Sequence, residues 1–123
     1  MSKPNRDADR EERIIMEIVV DAYGPEEQAM GWYYYLADTM QFPFTAICIS
    51  QRRISPLKSG TTVEVLLMAP ESECEREMFV EIAWEDDALA VPLIQLAAPD
   101  GDADTQQAIA DWHYWVNQGY EFG

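Results

Sequence analysis

The chain has 123 residues, of which 48% are hydrophobic, 11% aromatic and 25% charged, the proportions of a single domain spanning residues 1–123 with a core of its own. Eight basic residues against 23 acidic ones give a net charge of −15, which disfavours nucleic acid and anionic membranes, since both are bound through Lys and Arg. Four Trp, six Tyr and four Phe set it apart from a disordered acidic tail, which would be poor in aromatics.

Asp7 to Tyr23 reads as an amphipathic helix. Ile14, Ile15, Ile18, Val19 and Ala22 form its apolar stripe, with Arg10, Glu11, Arg13 and Glu17 outside. Gly24 and Pro25 stop it and open a second helix from Pro25 to about Met40, with Ala29, Trp32, Tyr33, Leu36 and Met40 at helical spacing. Phe42 before Pro43 ends that helix, because a residue preceding proline is pushed out of the helical region. Strands follow at 44–52, 61–68, 77–84 and 88–91. In the second, Val63, Val65 and Leu67 share a face; in the third, Met78, Val80, Ile82 and Trp84 do so. Asp86 and Asp87 mark a tight turn, and Pro92 ends the last strand. A final helix runs from about Thr105 to Gln118, capped by Asp104 with Gln107 three residues on; Ile109, Trp112, His113 and Val116 face inward, and Gly119 closes it. Consecutive short strands with tight turns give a small antiparallel β-meander closing as an SH3-like barrel, with two helices before it and one after: an α+β fold.

The charge is uneven. Residues 1–58 carry nine acids and seven bases, whereas residues 59–123 carry fourteen acids and one base, Arg76. In an up-and-down meander one end of the sheet collects the entry at 38–44, the connection 69–76 and the exit after Val91. Asp38 stands on the entry. Glu71, Glu73, Glu75 and Glu77 stand on or beside the connection, and Asp100 and Asp102 lie beyond the exit. Carboxylates gathered on loops suit calcium, which takes six to eight oxygens in irregular geometry. Asp38 also lies near a helix C-terminus, whose unpaired carbonyls carry partial negative charge. Asp100 and Asp102 could make a second, weaker cation site.

Other chemistries fit less well. Asp100, Asp102 and Asp104 occupy positions 1, 3 and 5 of an EF-hand loop, but Thr105 stands where Gly is needed, Gln107 where an aliphatic is needed and Asp111 where Glu is needed. Cys48, Cys74 and the single His113 are far apart, a weak zinc pattern. His113 has no nucleophile beside it, and no GxSxG, P-loop or HExxH motif occurs, so no enzyme is expected. A carboxylate hydrolase would need one acid in an apolar pocket, which abundant acids do not supply. Asp38 could instead pair with Arg52 or Arg53, and the tyrosine and tryptophan runs read first as packing. No stretch reaches 18 apolar residues and no apolar signal core follows Met1 to Pro4, so a soluble cytoplasmic protein with reduced thiols, a monomer, is expected. The rival to calcium binding is an acidic interaction module that docks a basic protein, with calcium incidental.

The run from Ala29 to Phe44, AMGWYYYLADTMQFPF, resembles the signature of the cyanobacterial calcium-binding CcbP family. So do Ile54 to Leu57, Glu77 to Val80, Ala90 to Leu93 with Gln95 and Leu96, and Asp111 to Trp115 before Gly119 and Tyr120. The likeness implies calcium binding without an EF-hand, at sites of unequal affinity. It implies a buffer or sensor of free cytosolic calcium, acting in heterocyst differentiation. It also implies a main acidic ligand at the aspartate after the WYYYL run, here Asp38. The glutamates of the 71–77 connection rest on the topology alone.

Overall fold

A computed structural model describes residues 7–20 and 22–120. Residues 1–6 and Asp21, both touched on by the sequence reading, lie outside the described residues. Helix α1 spans Ala8–Arg13, with the Asp7 side chain accepting from the Arg10 amide at 3.0 Å as its cap. It runs directly into a widened π-type turn, Ile14–Ile18, closed by the Val19 amide on the Ile14 carbonyl at 3.1 Å. The expected single helix to Tyr23 is therefore cut short. A π turn takes in one residue more than an α turn, so it rotates the positions that follow. Ile14 and Ile18 stay buried, while Ile15 and Val20 are each 50% exposed.

Helix α2, Pro25–Thr39, begins with proline in its first turn, where the missing N–H has no intrahelical partner to lose. Ala29, Trp32 and Leu36 bury one face, and Met40 turns extended to end it. A Cβ on Gly31 would overlap the Ile18 carbonyl oxygen, so α2 meets the π turn backbone to backbone.

Five strands form one antiparallel sheet in the order β4-β3-β2-β1-β5: β1 Phe44–Cys48, β2 Thr62–Met68, β3 Phe79–Trp84, β4 Asp87–Pro92 and β5 Leu96–Ala97. The α+β class stands, but among the described residues no ladder joins β4 to β5, so the sheet is open rather than a closed barrel. β1 is shorter than expected, and β5 was not foreseen: after Pro92 a tight 3₁₀ turn at Leu93–Gln95 leads Leu96 and Ala97 onto Cys48 and Ile47. The β3–β4 turn falls at Glu85 and Asp86, both at positive φ, one residue before the expected pair.

The alternation in β2 breaks at a bulge between Val65 and Leu67. Val63 and Val65 face the core as expected, but Leu67 is 49% exposed and Met68 takes the inward position. Helix α3 spans Ala103–Asn117, two residues earlier than expected, because Asp102 and not Asp104 is the cap. The inward face of the sheet meets Trp32, Trp112 and Trp115, the rings of Trp32 and Trp112 crossing edge to face at 5.1 Å.

Candidate metal centre

The ladders fix one margin of the sheet. Phe44 pairs with Val65, Met68 with Val80 and Phe79 with Pro92, so the start of β1, the end of β2, the start of β3 and the end of β4 lie together. Two α2 tyrosines tie the connection after β2 to this margin. The Tyr33 hydroxyl donates to the Ala69 carbonyl at 2.8 Å, and the Tyr34 hydroxyl donates to Glu71 Oε1 at 2.7 Å. Glu71 accordingly draws the Tyr34 phenol above its ordinary value. At the other flank the Gln41 amide donates to Thr105 Oγ1 at 2.9 Å, seating the start of α3 against the end of α2. The segments gather as the meander predicts.

Their side chains have different fates. Asp38 is exposed on the last turn of α2, four residues after Tyr34 and so on the same face. Glu71 and Glu73 are exposed on a 3₁₀ turn, Glu71–Glu73, and Glu75 is exposed just beyond it. Glu71 and Glu75 line a cleft of about 370 Å³ with Glu26, Tyr33, Ser72 and Cys74. Glu77 turns elsewhere: Arg52 holds it through two hydrogen bonds of 3.0 and 3.1 Å, taking the arginine that was a candidate partner for Asp38. Asp102 is occupied as the α3 cap, accepting from the Asp104 amide at 3.2 Å and the Thr105 hydroxyl at 2.5 Å; that hydroxyl holds its carboxyl below the usual range. Asp100 is exposed two residues away.

Among the described residues no three acidic, cysteine or histidine side chains stand close enough together to hold a metal ion as they are placed. The donor chemistry nevertheless fits calcium. Asp38, Glu71, Glu73 and Glu75 present hard carboxylate oxygens to solvent, and no nitrogen or thiolate ligand stands among them. Cys48 and Cys74 are both buried free thiols, and burial pushes the Cys74 thiol up, away from the thiolate a soft metal would need. His113 is a packed residue: its Nε2 donates to the Leu96 carbonyl at 2.9 Å, and burial holds its pKa below the ordinary value.

The largest departure from the sequence reading concerns other charges. Asp111 is fully buried on α3, yet Arg13 grips both its oxygens at 2.6 and 2.7 Å, Arg10 Nε lies at 3.1 Å and the Tyr35 hydroxyl donates at 2.6 Å. The paired carboxylate raises the Arg13 pKa. Glu11, expected outside, is buried and accepts from the hydroxyls of Tyr114 at 2.8 Å and Tyr120 at 2.5 Å. The signal was present in the spacing: Arg10 and Arg13 lie one turn apart, and Asp111 sits among tryptophans where a solvated acid has no place.

A single antiparallel sheet flanked by helices is not the helix–loop–helix of an EF-hand, and a family model described as calcium binding matches residues 12–116. The chain belongs to this family, the CcbP family of calcium-binding proteins. It is 50% identical to the crystal structure of Anabaena CcbP, covering 98% of both chains with a TM-score of 0.86. It is 48% identical to a calcium-binding protein solved in its calcium-binding form, covering 99% of this chain and 100% of that one, again with a TM-score of 0.86. No curated protein matches the sequence. The family is one of calcium binders and not of enzymes, and among the described residues no helix is long and apolar enough to cross a membrane.

Proposed function

We propose that this protein buffers or senses free calcium in the cytoplasm, with Asp38 as the main acidic ligand. The observation that carries the reading is the position of Asp38: exposed on the last turn of α2, on the face whose Tyr34 already holds Glu71. Glu71, Glu73 and Glu75, exposed on the connection after β2, would supply further carboxylates, and the carbonyls at the end of α2 would supply neutral oxygens. Calcium tolerates such a mixed, loop-borne set and completes its shell with water. Glu77 and Asp102 have structural work already, and their charge adds to the local field; Asp100 remains a candidate for a second, weaker site. The surplus negative charge raises the local concentration of cations and speeds their capture. The setting implied by the family likeness is heterocyst differentiation.

Calorimetric titration of Asp38→Ala against the unmodified protein tests the assignment. The tightest calcium step should weaken at least tenfold; an unchanged tight step overturns the role of Asp38. Magnesium competition separates this reading from an acidic module that docks a basic partner. A built calcium site resists millimolar magnesium, which demands near-octahedral geometry and keeps its waters, whereas a merely acidic surface binds both ions weakly and alike.

A further inference from the structure

The consecutive tyrosines Tyr33 and Tyr34 leave α2 toward the same short segment. Tyr33 reaches main chain, the Ala69 carbonyl at 2.8 Å, and so fixes where the connection after β2 begins. Tyr34 reaches a side chain, Glu71 Oε1 at 2.7 Å, two residues further on. The turn between these points is pinned by its own bonds, from the Glu73 amide to the Pro70 carbonyl at 2.9 Å and from the Cys74 amide to the Glu71 carbonyl at 3.0 Å. The backbone of this turn is thus held without Tyr34. What Tyr34 adds is the orientation of one carboxylate. Its ring is 50% exposed, so core packing does not explain its presence.

We infer that Tyr34 is a positioning residue for calcium capture, its hydroxyl holding the Glu71 carboxylate on the face of α2 that carries Asp38. The inference rests on the reading of Glu71 as a ligand. An ionised carboxylate has about four lone-pair directions, so one phenol O–H leaves room for a cation. An unheld surface glutamate must give up its rotamer freedom when it binds an ion; one already held has given up most of it beforehand. The hydrogen bond therefore favours binding rather than competing with it.

The test is calorimetric calcium titration of four full-length proteins: unmodified, Tyr34→Phe, Glu71→Ala, and the two combined, each also melted without calcium. Tyr34→Phe should weaken the tight step about three- to tenfold, the range of one hydrogen bond, with no change in the calcium-free melting temperature. Glu71→Ala should weaken it further, and the double variant should match Glu71→Ala alone. If Tyr34→Phe leaves the affinity unchanged while Glu71→Ala weakens it, the positioning role is overturned and Glu71 stands as a ligand. If Tyr34→Phe weakens binding as much without Glu71 as with it, the tyrosine acts by another route and the inference also fails. An unchanged affinity in Glu71→Ala removes the underlying reading and the inference with it.

Discussion

Asp111 carries the clearest electrostatic argument at the level of single residues. A carboxylate taken wholly out of water is costly unless its oxygens are paired and hydrogen-bonded. Here Arg13 meets both oxygens, with Arg10 and Tyr35 adding to them, so residues of α1 and α2 converge on one acid of α3. Burial, and then the bond to Asp111, push the Tyr35 phenol up to about 12. The folded state thus keeps that proton more tightly than the unfolded chain. The stabilisation it brings is complete below the unfolded value near 10 and is lost as pH rises through about 12. Urea unfolding of Tyr35→Phe should accordingly show a flatter decline of stability above pH 10 than the unmodified protein shows. Arg13→Met leaves the buried acid with less compensation and should cost about 3 kcal/mol, the scale for breaking a buried pair, read as a lower urea midpoint at an unchanged slope. None of this pairing is local in the chain. Arg13 and Asp111 are 98 residues apart, so helical periodicity set Arg13 outside and gave Asp111 no partner, and only the tertiary fold brings the two together.

Secondary-structure elements divide according to whether their cause is local. Helix α2 was legible almost to the residue, because proline opens it and the approach to Pro43 closes it. Helix α3 was legible apart from its cap. Two acids, Asp102 and Asp104, were available there, and Thr105 decides between them by donating its hydroxyl to Asp102. The π turn was hidden, since an extra residue in a helical turn leaves composition unchanged and displaces the stripe only beyond Ile14. The β2 bulge was hidden for the same kind of reason: strict alternation put Leu67 inside, and one inserted residue put Met68 there. The bulge yields a paired test. Leu67→Ser should stay within about 0.5 kcal/mol of the unmodified protein, as surface changes do, while Met68→Ala should cost about 2–3 kcal/mol, as loss of a buried side chain does. Equal costs in urea unfolding would refute the register. The acidic segments follow the same division. The meander placed them at one margin correctly, but the bond from Arg52 to Glu77 and the capping by Asp102 depend on neighbours that no local pattern reveals.

For the molecule as a whole the dominant quantity is its charge of −15. Self-repulsion opposes the compact state and is screened by salt. Raising NaCl from about 0.01 M to about 0.15 M shortens the Debye length from about 30 Å to about 8 Å, so the calcium-free melting temperature should rise over that interval. Calcium should raise it further at fixed ionic strength, since a ligand at about 100 times its dissociation constant stabilises the folded state by about 2.7 kcal/mol. Magnesium at the same concentration should give a smaller rise. Differential scanning calorimetry at the two salt concentrations and with each cation checks these statements, and equal shifts from the two cations would mean screening without selective capture.

The backbone contact between Gly31 and the Ile18 carbonyl gives experimenters a lever that acts through main chain and touches no carboxylate directly. A library randomised at that codon and selected for solubility should return glycine almost alone. Alanine there would prise the N-terminal segment from the second helix and with it strain the grip of Arg13 on Asp111. Such a variant would reveal how far the remainder of the protein holds together once that segment is no longer clasped.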